Sequence, residues 1–270
     1  SEKWSKYSQD VLPVFVAESD FPLATPIAEA LHRAIDAGDL GYAQPKGVGD
    51  AYATFARGRF HHETEPASVF VIPEVMVGVA EILRTTTAPG DKVIINPPVY
   101  PPFFATIAEV GRSLAEVPLT AREDGFNLDF DALEREFAAG AAAYLFCNPH
   151  NPTGRVFSSG DVLRVATLAK KYGVVVLADE VHAPLVLPGG VHTPFESVVA
   201  ETGVHAVTLT SASKGWNIAG LKCAVAISRR RGAALSSNNF PGRRRSEPGT
   251  SELSLQLRPL PRELRISTAS

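Results

Sequence analysis

Cysteine is nearly missing from this chain of 270 residues; the two present are Cys147 and Cys223. Far apart and outside any C-x-x-C, they give neither a disulfide framework nor a metal pattern. Both fall in apolar, strand-like contexts and are expected to be buried thiols. A reducing cytoplasm is the compartment this usage suggests. Methionine occurs once, as Met76, and the chain does not start with one; the natural N-terminus is therefore expected to be missing or processed. The opening SEKWSKYSQD lacks the apolar stretch of a secretory signal, and no apolar run is long enough to span a membrane. There is no charge of one dominant sign either. Lys and Arg number 26 against 29 Asp and Glu, a net charge of −3, so no global field points to nucleic acid. The chain has no G-x-G-x-x-G after a strand, no G-x-x-x-x-G-K-[ST], no H-E-x-x-H and no G-x-S-x-G. Nicotinamide, nucleotide, zinc-protease and serine-hydrolase chemistry thus lose their usual signatures. Internal repeats are absent.

What is present is a rhythm. Residues 1–22 read as an extended arm, in which the prolines of VLPVFVAESDFP rule out a long helix. Thr25-Pro26 opens a helix, Thr as N-cap and Pro at the first helical position. Ile27, Ala30, Leu31, Ala34 and Ile35 form its apolar face, and Gly38 ends it. Val48, Tyr52 and Phe55 mark a second helical stripe. From Ser68 the pattern alternates strand and helix. SVFVI, DKVIIN, SLAEVPL, AAYLF, VVVLA, AVTLT and LKCAVAI are the strands. Val75–Thr86, PPFFATIAEVG, Asp129–Phe137 and Gly160–Tyr172 are the helices. Short continuous apolar runs without polar alternation are what strands covered on both faces look like. The expected fold is α/β, a three-layer αβα sandwich with a mostly parallel sheet. The expected domains are an N-terminal arm and helix over 1–40, a large domain over 41–228, and a disordered tail over 229–270, where arginine clusters, Ser, Pro and Gly replace periodicity.

Ligands of open α/β sheets bind at the carboxyl ends of strands, and here five strand ends carry chemistry. SVFVI runs into Pro73-Glu74-Val75-Met76 and a helix start, whose free N–H groups suit a phosphate. DKVIIN runs into Pro97-Pro98-Val99-Tyr100. AAYLF is followed by Cys147, then Asn148-Pro-His-Asn151-Pro-Thr-Gly154. VVVLA runs into Asp179-Glu180-Val181-His182, and AVTLT into Ser211-Ala-Ser213-Lys214. Each alone has an ordinary reading. Lys214 fits a surface lysine in a polar loop, Asp179 a helix cap, Tyr100 a core residue, Asn151 a turn before proline and His182 an exposed histidine. Val75 and Met76 fit any helix start. Together, an aromatic plane, an amide, a carboxylate, a lysine and an anion site are what pyridoxal 5'-phosphate requires. Lysine forms a Schiff base with a carbonyl cofactor. A carboxylate keeps the pyridine nitrogen protonated so that the ring accepts electrons.

NPHNPTG, then VVVLADEVH, then SASKGWNIAGLKCA resemble, in order and spacing, the fold-type I pyridoxal-phosphate enzymes of the class I/II aminotransferase superfamily. The arm VLPVFVAESDFP, the pair Gly41-Tyr42, GDKVIINPPVYPPFF and His182 resemble its cystathionine β-lyase or C–S lyase branch, the maltose-regulon modulator type. The resemblance covers Ser1–Ser228. It implies Lys214 as Schiff-base lysine and α-proton base, with Asp179 on the pyridine nitrogen and Asn151 on the ring hydroxyl. Tyr100 would stack on the ring, and His182 stands where aminotransferases commonly carry Tyr. Val75 and Met76 amides, Ser211 and Ser213 would hold the phosphate. Lys222 falls where related enzymes often carry a cation. Tyr42 would reach the phosphate of a neighbouring subunit, which implies a homodimer.

The implied reaction is α,β-elimination from a sulfur amino acid such as cystathionine, giving thiol, pyruvate and ammonia. Composition and spacing do not separate this from amino transfer, and an inactive cofactor-binding remnant stays open as a third reading. The partner expected is a small amino acid, with no metal, nucleic acid or membrane. Ser19 departs from the Met frequent in this branch. Past Ser228 the family continues into a small domain carrying the arginine for the substrate carboxylate. Residues 229–270 stand in its place, and a truncated or frameshifted reading frame is expected there, with apolar surface left exposed on the large domain.

Overall fold

A computed structural model of the chain describes residues 1–42, 44–123 and 125–228, all within one compact unit. The expected tail over 229–270 lies outside the described residues. The elements, in chain order, are α1 (Glu2–Ser5), α2 (Thr25–Asp36), α3 (Val48–Phe60), β1 (Val69–Ile72), α4 (Val75–Thr86), β2 (Lys92–Ile95), α5 (Pro102–Glu109), β3 (Ser113–Glu116), β4 (Thr120–Arg122), β5 (Gly125–Asn127), α6 (Phe130–Ala138), β6 (Ala143–Cys147), α7 (Ser159–Tyr172), β7 (Val175–Asp179), α8 (Glu196–Thr202), β8 (Ala206–Thr210) and β9 (Ala224–Ile227).

The main sheet has the order β1-β9-β8-β7-β6-β2-β3. The pairs β2–β3, β2–β6, β6–β7 and β7–β8 are parallel. β9 is antiparallel to both β8 and β1, so β1 runs in the same direction as β8. The carboxyl ends of β1, β2, β6, β7 and β8 therefore lie along one edge of the sheet. This relationship positions everything that follows.

Period-two alternation explains the layers. Ile94 of β2, Tyr144 and Phe146 of β6, and Val176 and Ala178 of β7 join one apolar cluster with Leu133 and Phe137 of α6, Val162, Val165 and Ala169 of α7, and Val198 of α8. The intervening Val93, Ile95, Leu145 and Leu177 are equally buried on the other face, where α4 and α5 bury Val79, Ile82, Leu83, Phe103 and Ile107. The fold is the αβα sandwich that the sequence indicates. α7 shows how local signals set its ends. Ser158 and Asp161 form a reciprocal capping box, and Gly173, at φ +73°, closes the helix.

Four local expectations are corrected. Thr25 is the first helical residue and Ala24 the cap position, without a side-chain cap bond. The arm is not wholly extended: α1 forms one turn. The hairpin β4–β5 and the helix α8 are additional elements, too short for a period to emerge from their sequences. Cys223 is exposed, while Cys147 is buried; β9 begins only at Ala224, so Cys223 sits in the preceding turn rather than in the sheet. α2 keeps its amphipathic pattern yet buries none of its residues, and Ile35 is exposed. No helix among the described residues is long and apolar enough to cross a membrane.

Candidate active site

Five chain segments converge on the carboxyl edge of the sheet. Among the groups that face the site, Asp179, the last residue of β7, is deeply buried, only 4% exposed. Its neighbours on β7 are wholly apolar, so the strand delivers a carboxylate into a place with little water. Among the described residues it accepts one hydrogen bond, from the Val181 N–H at 3.1 Å. Burial pushes its pKa up to about 6, against the pull of that hydrogen bond; the Glu180 charge adds to the rise and the Lys214 charge opposes it. This is an anion short of a positive partner.

Lys214 lies at the end of the adjacent strand, β8, in the turn 212–217, and is half-buried. Among the described residues it makes no hydrogen bond or ion pair, but its charge is felt by both Asp179 and His182. His182 is half-buried, and its pKa is lowered by burial first and by Lys214 second. Lys214 thus lies near both the deep carboxylate and a neutral imidazole.

The two serines of the lysine turn form a small relay. Ser211 Oγ donates to the Cys223 carbonyl at 2.7 Å and accepts from the Ser213 N–H at 3.0 Å. The 2.6 Å contact between the two hydroxyls must then have Ser213 as donor, because the single Ser211 proton is already used. Beside them, Lys222 Nζ pairs with the Glu74 carboxylate at 2.5 Å. Glu74 is the cap position of α4, whose first N–H groups, including those of Val75 and Met76, have no acceptor within the helix. Hydroxyls, an ammonium and a helix start together make an anion cradle.

Tyr100, at the end of the β2 segment, is 37% exposed and packs edge-on against Phe103, centroids 5.8 Å apart. Its pKa is raised by burial, then by the charges of Asp179 and Glu74, with Lys222 opposing. It therefore lies near enough to the deep carboxylate and to the Glu74–Lys222 pair to feel both. Asn151 lines a cavity of about 430 Å³ with His182 and His150. Tyr42 is fully exposed and is the one predicted residue that the fold leaves outside this convergence.

Three further residues support the site. Glu180, 1% exposed, turns away from Asp179. Its carboxylate accepts from the Phe195 N–H at 2.6 Å and meets His192 Nε2 at 3.1 Å. Asn148 accepts from the Phe157 N–H at 3.0 Å, while its Nδ2 is buried with no partner among the described residues. His150 is held between the Pro98 carbonyl at 2.9 Å and the Cys147 carbonyl at 3.3 Å, tying the Asn151 loop to the Tyr100 segment. Burial lowers its pKa, while these carbonyl contacts oppose that shift. The motif positions of Glu180 and Asn148 were visible in the sequence; their partners, remote in the chain, were not. No group of three or more metal-ligating side chains occurs among the described residues.

These residues fit pyridoxal phosphate as a donor set. A protonated ring nitrogen answers the under-satisfied Asp179, a phosphate answers the serine, lysine and helix-start donors, and an aldehyde answers the unpaired Lys214.

Comparison with known proteins gives a consistent frame. The family model described as aminotransferase class I and II matches residues 19–257. A protein of Mycobacterium leprae (strain TN), provisionally named cystathionine beta-lyase, is 46% identical over 243 residues, 87% of this chain and 59% of that protein. The cystathionine beta-lyase of Corynebacterium glutamicum is 38% identical over 223 residues, 82% of this chain and 59% of its own. Among solved structures, cystalysin from Treponema denticola, described as containing a pyridoxal 5'-phosphate cofactor, superposes with a TM-score of 0.80 at 30% identity, covering 85% of this chain and 60% of that one. The chain thus spans about three fifths of the length of the relatives it matches.

Proposed function

This chain belongs to the aminotransferase class I and II family, and on that premise we propose that it is the cofactor-binding part of a pyridoxal-phosphate-dependent carbon–sulfur lyase of the cystathionine β-lyase kind. The observation that carries the proposal is the meeting of Asp179 and Lys214 at the ends of adjacent parallel strands, with Lys214 unpaired and Asp179 under-satisfied. Bound there, pyridoxal phosphate supplies a carbonyl for amines and an electron sink for the pair left by a departing α-proton.

The chain's own residues have defined tasks in this reading. Lys214 would hold the cofactor through its amine, and its Nζ is the base that would take the α-proton. Asp179 keeps a proton on the ring nitrogen, the state in which the ring draws electrons best. Asn151, which shares a cavity with His182, would bond the ring hydroxyl, and Tyr100 would pack on the ring face. Val75 and Met76 amides, Ser211, Ser213 and Lys222 hold the phosphate; Lys222 is already neutralised in part by Glu74. The substrate is a small amino acid with sulfur on Cβ, such as cystathionine. The Cβ–S bond breaks, the thiol leaves, and hydrolysis gives pyruvate and ammonia. Tyr42, exposed on this chain, serves the phosphate site of a second copy, so the working assembly is a homodimer. The setting is the cytoplasm.

The test is the visible absorption of the purified chain with added pyridoxal phosphate, beside Lys214→Ala. A visible absorption band in the parent alone supports the reading. An equal band in both proteins, or none in either, overturns it. Pyruvate release from cystathionine, against keto-acid-dependent amino transfer, then separates lyase from aminotransferase.

A further inference from the structure

Asn217 lies three residues beyond Lys214 and has a backbone φ of +55°, a left-handed conformation that Asn adopts more readily than most side chains. Its amide acts twice on a single distant residue. The Ser19 N–H donates to Asn217 Oδ1 at 3.1 Å, and Asn217 Nδ2 donates to the Ser19 carbonyl at 3.1 Å. Across 198 residues of sequence, one side chain thus imitates the paired bonds by which two strands hold each other.

The turn bearing this side chain is closed by its own backbone. The Trp216 N–H donates to the Ala212 carbonyl at 3.0 Å and the Ile218 N–H to the Ser213 carbonyl at 3.1 Å. Asn217 belongs to the same turn, 212–217, as Lys214, so its grip ties Ser19 to the turn that carries the lysine. The arm is held from its other flank as well. Lys3 Nζ donates to the Glu18 carbonyl at 3.1 Å and pairs with Asp20 at 2.7 Å, and Trp4 Nε1 donates to Asp20 at 3.1 Å. Residues 18–20 are therefore gripped by polar groups on both sides, while the nearby apolar side chains Leu12, Val14 and Phe21 are exposed. Polar contacts fix this stretch; the Asn217 pair is exposed, and exposed hydrogen bonds open at low cost.

We propose that Asn217 is a positioning residue: it latches arm residues 18–20 onto the turn that carries Lys214, and release of this latch makes the amine more accessible. The inference rests on Lys214 being the reacting amine, as in the function proposed above.

Asn217→Gly is the discriminating variant, since glycine keeps the left-handed backbone and removes both side-chain bonds. Two readouts are taken on the full chain without cofactor: hydrogen exchange of the arm segment containing Ser19, and acetylation of Lys214 by acetic anhydride, followed by mass spectrometry with Lys92 as internal reference. The Ser19 segment is expected to exchange about tenfold faster, the scale of one to two exposed hydrogen bonds, and Lys214 to acetylate faster while Lys92 is unchanged. Asn217→Asp keeps an acceptor for the Ser19 N–H and loses the donor to its carbonyl. It is expected to fall between parent and glycine variant, and it decides the question if the glycine variant fails to fold. Unchanged exchange overturns the clamp, and faster exchange with unchanged Lys214 acetylation overturns its role at the amine. The absorption band of the parent reports separately on Lys214 as the cofactor lysine, so failure of that reading is told apart from failure of the latch.

Discussion

The Phe195 amide donates to the Glu180 carboxylate at 2.6 Å, and His192 meets the same carboxylate on its other oxygen. Two consecutive acidic residues at the end of β7 thereby divide their tasks: Asp179 faces the site, and Glu180 ties the loop ahead of α8 to the strand. Glu180→Ala leaves a buried N–H and a buried imidazole without their acceptor. It is expected to destabilise the chain by about 2–4 kcal/mol. Glu180→Gln retains an acceptor for Phe195 and is expected to lose less. Urea unfolding checks both, and an alanine variant as stable as the parent contradicts the anchoring role.

Asp179 makes stability depend on pH in a direction unusual for a carboxylate. Its folded pKa of about 6 lies above the ordinary aspartate value of 3.8. Well below the unfolded pKa of 3.8 it is protonated in both states and contributes no difference. Between about pH 4 and pH 6 the unfolded chain ionises first, so the unfolded state binds fewer protons and stability falls as pH rises. Above pH 6 the full penalty applies, on the order of 3 kcal/mol for a shift of this size. Asp179→Asn removes the penalty. Without cofactor, the variant is expected to gain on the parent between about pH 4 and pH 6 and to hold that gain at pH 7, when unfolding is followed across that range. A constant difference between the two proteins contradicts this.

Pyridoxal phosphate should reverse that comparison. A protonated ring nitrogen supplies the partner that Asp179 lacks, and a ligand bound only by the folded state stabilises it in proportion to its affinity. At pH 7 added cofactor is expected to raise the melting temperature of the parent more than that of Asp179→Asn. Equal shifts would separate Asp179 from the cofactor ring.

The strand ends were legible because the residues that matter follow directly on apolar runs. VVVLA leads to Asp179 and AVTLT to Lys214, and the sheet order places both on one edge. Sequence order alone carried no sign that β1 joins that edge through antiparallel β9. Contacts between remote residues were likewise hidden: Ser19 with Asn217, Glu180 with Phe195, His150 with Pro98. The exposure of Cys223 escaped notice because LKCAVAI reads as one strand, whereas pairing starts at Ala224. The three-residue strands β4 and β5 and the seven-residue α8 fall below the length at which a period shows.

Arg112 shows how a single side chain can set the end of a helix. Its Nε donates to Thr87 Oγ1 at 2.8 Å, and its Nη2 reaches the carbonyls of Leu83 at 3.1 Å and Thr87 at 2.7 Å. These carbonyls lie at the C-terminal end of α4, where orphan acceptors and the helix dipole favour a cation. Arg112→Ala is expected to cost about 2–3 kcal/mol. Arg112→Lys is expected to recover little, since one ammonium cannot span the positions of a fork. Thermal unfolding of the pair checks this, and a lysine variant that matches the parent contradicts it.

The opposite end of α4 depends on close approach. A Cβ at Gly78 would lie 2.5 Å from Ile72 Cδ1 and 2.8 Å from Leu209 Cδ2. The helix therefore sits directly on β1 and β8 at the one position without a side chain. Gly78→Ala gains helix propensity, worth about 1 kcal/mol. It also forces two packed side chains or the helix itself to move, which typically costs about 1–3 kcal/mol. Leu209 precedes the lysine turn by a few residues, and Val75 and Met76 begin the same helix, so a lifted α4 separates the proposed phosphate donors from Lys214. The expected outcome is a modest net loss of stability with a larger loss of pyridoxal phosphate affinity, read from unfolding and from absorption titration. Gly78→Ala together with Ile72→Val, which removes the closest methyl, is expected to restore part of the affinity. Failure of the double variant to recover any would show that the helix is not displaced through this contact.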